Sequence, residues 1–161
     1  GSVVHVCPSL AEEVIDKVRL TPGDVLVSRS GSLAVTAVVE DAWKDALISS
    51  HLIRVPIANS AFDPYYVAMF LRSMPGKMQI KQWSNGGVQP EINQPSLAQV
   101  VVPQLDWDTQ MRIRTSIFEA RRQKQAASAL LRAAIRAVEI AIEDSETAAM
   151  DYLQSVTEEH G

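Results

Sequence analysis

The chain has 161 residues, 47% of them hydrophobic and 21% charged, and a net charge of −4. That is the length of one domain, or of a small domain with an appended helix, and the composition of a folded rather than a disordered protein. A lone Cys7 excludes an internal disulfide framework and a cysteine-rich zinc site. No apolar run is long enough to span a membrane or to act as a signal peptide, so a cytoplasmic protein is expected.

Residues 3–6 read as a short strand, and Ser9 with Glu12 fits a capping box for a short helix to residue 18. Thr21-Pro22-Gly23-Asp24 is a turn, followed by a strand over 25–28. Ser30-Gly31-Ser32 interrupts it, and 33–39 is a second, β-branched strand. After a polar loop, 46–49 and 52–55 complete a run of strands spaced too closely for βαβ units. Asp63 as N-cap and Pro64 at the first helical position open a helix to about residue 74. Pro75-Gly76 is expected to break it, with helix resuming over 77–83. Ser84-Asn85-Gly86-Gly87 is a turn, 89–92 is extended, 95–98 is a helical turn and 100–102 is a final buried strand. The expected fold class is α+β: a small mixed or antiparallel sheet with helices over residues 1–105, then one long coiled-coil helix over 106–157.

That helix organises the chain. Residues 108–156 contain neither Pro nor Gly and are rich in strong helix formers, with Asp106 or Asp108 placed to cap them. Ile113, Ile117, Ala127, Leu131, Ala134, Val138, Ala141 and Tyr152 fall on a heptad-like, mostly apolar seam. A helix of this length reaches roughly 70 Å, more than a small domain needs for its own core. Its front half is basic (Arg112, Arg114, Arg121, Arg122, Lys124, Arg132, Arg136, against Glu119), and from Glu139 onward the charges are acidic. This split favours an antiparallel pairing in a homodimer, with Arg122 near Asp144 of the partner, where a parallel pair would set like against like.

No catalytic constellation stands out. Asp63-Pro64-Tyr65-Tyr66 is close to the Asp/Asn-Pro-Pro-Tyr motif of adenine methyltransferases but lacks its second proline and any glycine-rich cofactor loop; a capped helix start is the better reading. Ser28, Ser30 and Ser32 lie in no nucleophile elbow, and His5, His51 and Cys7 have no zinc-like spacing. The chain therefore reads as a non-enzyme with no cofactor and no metal.

Two polar, glycine-containing stretches have a residue mix that suits DNA readout, although composition alone fits a plain surface loop better. They supply Arg29, Ser30 and Ser32, and Lys77, Gln79, Lys81, Asn85 and Gln89. Arg reads guanine and Gln or Asn reads adenine through paired hydrogen bonds, while Lys and Ser hold phosphates.

The ordered set LTPGDVLVSRSGS, ALISSHLIRV, DPYYVAMFLRS, GKMQIKQWSNGGVQPEINQPSLAQVVVPQ and QMRIRTSIFEA resembles the target-recognition domain of type I restriction–modification specificity subunits. The resemblance runs from about Val3 to Leu153, and Gln110-Met111-Arg112-Ile113 matches the Gln-x-x-Ile that opens the family's long helix. Ala34 departs from it, standing where many members have Gly. The first part of a full recognition domain is expected to be missing from this chain.

The resemblance implies a globular part that reads one half of a split double-stranded DNA site and a helix that acts as spacer between two such domains. It implies methyltransferase subunits as partners, and restriction subunits where restriction accompanies methylation. S-adenosylmethionine and ATP would be used by those partners, not by this chain. Two other readings stay open: a coiled-coil interaction scaffold without DNA binding, and the C-terminal specificity region of a larger DNA methyltransferase.

Overall fold

A computed structural model describes residues 19–85 and 90–159, excepting the side chains of 157–159. The strand expected over 3–6, the Ser9–Glu12 capping box with its helix, and Gln89 lie outside the described residues. The chain divides into two compact units, one ending at Arg114 and one beginning at Thr115.

The first unit is α+β. Strands β1 (Val25–Ser28), β2 (Thr36–Val38) and β3 (Leu52–Val55) form an antiparallel sheet of order β2-β1-β3. Val25 pairs with both Val38 and Val55, and Ser28 pairs with Leu52, so the residues just past β1 and just before β3 lie side by side. Alternation along β1 buries Val25 and Val27 completely. The strand expected over 33–39 is shorter because Ala34 takes a left-handed conformation, φ 62°, which costs a non-glycine residue about 1–2 kcal/mol. Residues 46–49 make only an isolated bridge, Arg19 with Leu47.

Helix α1 (Pro64–Arg72) starts as the sequence implies: Pro64 opens it, and the Asp63 carboxylate accepts from the Tyr65 and Tyr66 amides. Tyr66, Val67 and Leu71 are buried in the core formed with the sheet, and Thr36 Oγ1 donates to Ala68 O at 2.9 Å. Pro75-Gly76 does not break the next helix as expected. Helix α2 (Met74–Trp83) is capped by Ser73 and holds both residues in its first turn, where a missing N–H costs nothing. Gly76 also lets α2 approach α1, since a Cβ there would lie 2.2 Å from Phe70 O. Helix α3 (Gln94–Leu97) is the single turn expected, capped by Asn93. The strand expected over 100–102 does not form. Val101 is exposed, and its backbone is held by the Gln79 side chain.

Helix α4 (Trp107–Glu143) opens in this unit. Asp106 caps it, accepting from the Thr109 amide and hydroxyl, both at 2.8 Å. Gln110 is fully buried: its amide donates to Ala61 O and Leu105 O, each at 2.9 Å, and accepts from the Asp63 N–H at 2.8 Å. One turn on, Ile113 packs on the core, while Arg114 pairs with Asp63 at 3.0 Å and lies over the Tyr65 ring. The Gln-x-x-Ile motif is thus a structural clamp.

The second unit is a helical hairpin, a correction to the single helix over 106–157. The helix ends at Glu143, Ser145 caps a new start, and α5 (Glu146–Glu159) turns back. The hydrogen bond to Glu139 chiefly raises the Arg136 pKa, with a small contribution from Tyr152 of α5, which a continuous helix would hold roughly 24 Å away. Ala133 and Ala137 of α4 and Ala149 of α5 are buried. Among the described residues no helix is long and apolar enough to cross a membrane.

Replacing Gln110 by Leu strands an N–H and two carbonyls, and is expected to cost about 3 kcal/mol or more, read as a lower urea midpoint. The hydrogen bonds from the Thr109 amide and then its hydroxyl hold the Asp106 carboxyl below its ordinary range. Its stabilisation is therefore complete above the unfolded value, about pH 4, and is lost as pH falls through the lower folded value. Asp106→Ala should be less stable than the parent at neutral pH. That difference should close in acid below about pH 4, measured as urea midpoints across a pH series.

Candidate functional site

The two polar stretches singled out in the sequence meet at one edge of the first unit. After β1 the chain turns through Gly31, at φ 73°, and the turn is braced from within: Ser28 Oγ donates to Ser32 O at 2.6 Å and accepts from Val35 N at 3.1 Å. The Arg29 N–H donates to His51 O, and Ile92 N–H donates to Arg29 O. Glu91 bridges both Ser30 and Asn85, its backbone exchanging two 2.8 Å hydrogen bonds with Asn85. The segment around Glu91 thus stitches the Arg29–Ser30 turn to the C-terminal end of α2.

Two clefts flank this stitch. One, of about 350 Å³, is lined by Arg29, Ser30, Ser50, His51 and Glu91. The Arg29 guanidinium reaches Glu91 Oε1 at 2.5 Å and Ser50 O at 3.4 Å, and Ser30 Oγ lies 3.5 Å from His51 Nδ1. The other cleft is lined by Gly31, Lys77, Ile80, Lys81, Ser84 and Pro90 among others. Lys77 and Lys81 are exposed one helical turn apart on the same face of α2. The linings of the two clefts together hold three permanent cations, Arg29, Lys77 and Lys81, against one carboxylate, Glu91.

The ion pairs of this unit differ in kind. Asp24 is 5% exposed, pairs with Arg54 at 2.6 Å and accepts from the Thr21 N–H, so it is part of the packed structure. The Arg29 and Glu91 side chains are 36% and 51% exposed. A solvent-screened pair of that kind contributes only about 0–1 kcal/mol. The arginine's buried Nε has no hydrogen-bond partner, and leaving such a donor unsatisfied costs about 1–3 kcal/mol. Arg29 is therefore held by a partly exposed ion pair with one of its donors left unmet.

Of the sequence-nominated residues, Arg29, Ser30, Lys77, Lys81 and Asn85 come together here, and Ser32 is exposed on the adjoining turn. Gln79 does not join them. It sits on the other side of α2, its amide donating to Val101 O at 3.1 Å and accepting from Val101 N at 2.9 Å. Ser50, His51 and Glu91 complete the cleft without having been nominated. The signal for Ser50 and His51 was the β1–β3 register, which places them beside Arg29.

The expected helix seam is only partly available in the second unit. Ala141 and Tyr152 are half-buried in the hairpin, while Leu131 and Val138 are exposed. Together with Ile135 and Ile142 they form a large apolar stripe at steps of four, three and four, 65%, 54%, 60% and 80% exposed in chain order. Arg122 pairs with Glu119, and Arg136 with Glu139, on their own helix.

Among the described residues, no group of three or more His, Cys, Asp or Glu is placed to hold a metal ion. No protein-family model matches this sequence, and no curated protein matches it significantly.

Proposed function

We propose that this chain is a sequence-specificity module of a type I restriction–modification system, reading one half of a bipartite double-stranded DNA site. The observation that carries the reading is the convergence of Arg29 and Ser30 with Lys77, Lys81 and Asn85 on one face, from stretches far apart in sequence. Guanidinium, ammonium, hydroxyl and amide groups on exposed turns are the side chains that position a duplex and read its bases. The overall acidity of the chain is compatible with this, because the cations are local to the site. The module has no chemistry of its own in this reading. Methyltransferase subunits, joined by restriction subunits where cleavage accompanies methylation, act on the DNA it selects.

The exposed stripe on α4 supports a helical partner. A second copy of the chain, antiparallel, would bury Leu131, Ile135, Val138 and Ile142 and give a two-fold arrangement that reads two inverted half-sites at a fixed spacing. Because Arg122 and Arg136 are paired within their own helix, the apolar stripe rather than the charge split supplies most of the affinity. The same stripe would serve a scaffold without DNA binding, so the DNA experiment separates the two readings.

In a mobility-shift titration with randomised duplex, the chain should enrich a defined half-site. Replacing Lys77 and Lys81 by Ala should weaken binding to every duplex and lower the salt slope by about two. Unaltered affinity and slope would remove these lysines from the interface, and no duplex binding at all would favour the scaffold. Sedimentation at tens of micromolar should show a dimer that Leu131→Glu with Val138→Glu converts to monomer at unchanged helicity. A monomeric parent protein would overturn the pairing.

A further inference from the structure

We propose that Glu91 is an internal stand-in for a DNA phosphodiester. It holds Arg29 in the free protein and yields it to a phosphate when DNA binds. The inference rests on the DNA-recognition reading and deepens it by naming the residue that restrains non-specific binding.

Carboxylate and phosphate oxygens take the same planar guanidinium fork, and Arg29 spends only one arm of it, Nη2, on Glu91 Oε1 at 2.5 Å, its other arm reaching Ser50 O at 3.4 Å. The surroundings suit a phosphate better than a carboxylate. Ser30 and His51 line the same cleft, 3.5 Å apart, and the hydroxyl and the imidazole can each donate to an anionic oxygen. Lys77 and Lys81 in the adjoining cleft attract the duplex backbone to this edge.

Both members of the pair have fixed backbones, Arg29 through His51 O and the Ile92 N–H, so the exchange is one of side chains. Glu91 is fixed through its backbone on both sides, to Asn85 by two hydrogen bonds and, through its neighbour Ile92, to Arg29 O. The Arg29 side chain is more than a third exposed and leaves its buried Nε without a partner. In the proposed exchange the guanidinium turns to the phosphate and the carboxylate remains at the cleft. Once it stays, its uncompensated charge repels any phosphate that Arg29 has not taken up. A duplex held in register by base contacts overcomes this, and one gliding past does not, so Glu91 acts as a filter against non-specific binding.

The test uses the full chain and its Glu91→Gln, Arg29→Gln and doubly substituted forms, with matching circular dichroism spectra as the check of folding. Glu91→Gln should tighten binding to randomised duplex roughly three- to tenfold, and this gain should vanish in the Arg29→Gln background. A gain that survives without Arg29 would be simple removal of a negative charge and would overturn the proposal, as would no gain at all. Inorganic phosphate, followed through the Arg29 Nε–H and His51 ring resonances, supplies a readout that does not depend on DNA. The Glu91→Gln form should respond at lower phosphate than the parent, and His51 should not respond in Arg29→Gln. Phosphate binding of this pattern without any duplex binding would sink the DNA reading and leave an anion site governed by Glu91. Duplex binding without the Glu91 effect would leave the DNA reading and sink the filter.

Discussion

The first unit depends on the burial of one primary amide. Ala61 O, the Asp63 N–H and Leu105 O belong to segments that lead into α1 and α4, and each must find a partner once it leaves water. Gln110 answers all three from a fully buried position. An amide side chain can do so because it carries two donors beside an acceptor. Asp63, held by that bond, caps α1 and pairs with Arg114. Helix α1 buries Tyr66, Val67 and Leu71 in the sheet core, and the sheet in turn delivers Arg29 and His51 side by side at its edge. A line of satisfied polar groups and packed side chains thus runs from the start of α4 to the candidate site.

The candidate site itself is built on the opposite principle. Where the scaffold buries its polar groups and satisfies them several times over, the cleft leaves Arg29 with a screened partner and an orphan N–H. The contrast with Asp24 and Arg54, a few residues away on the same sheet, separates an ion pair that belongs to the fold from one that is available for exchange. Backbone stitching through Glu91 keeps the turn in place beneath the Arg29 side chain.

The second unit divides its apolar residues by size. Small ones, Ala133, Ala137 and Ala149, are buried. Large ones, Leu131, Ile135, Val138 and Ile142, lie about half a turn away around α4 and are exposed. A face of that size and periodicity is costly to leave in water, which is the physical ground for a helical partner.

Much of this was legible in the residues. Local chemistry fixed the Asp63-Pro64 helix start, the strands at 25–28 and 52–55, the Asp106 cap and the polar character of the two loops, because caps, turns and β-branched runs act over a few residues. Ser73 overrode the expected Pro-Gly break, since a cap can place both residues in a first turn. Heptad spacing marked a seam but not its occupant: a periodic pattern is the same whether the residue is half-covered, as at Ala141, or left bare, as at Val138. Likewise the composition of the loops named Arg29 and Lys77, yet only strand register brought His51 and Glu91 to Arg29 and turned Gln79 away to Val101. The sequence by itself determined the capped helix starts, the strands at 25–28 and 52–55 and the polar turns, but not the fate of 46–49 and 100–102 or the end of the long helix at Glu143. The tertiary structure decided which of their side chains meet, because that depends on long-range pairing and on how each buried polar group finds its partner.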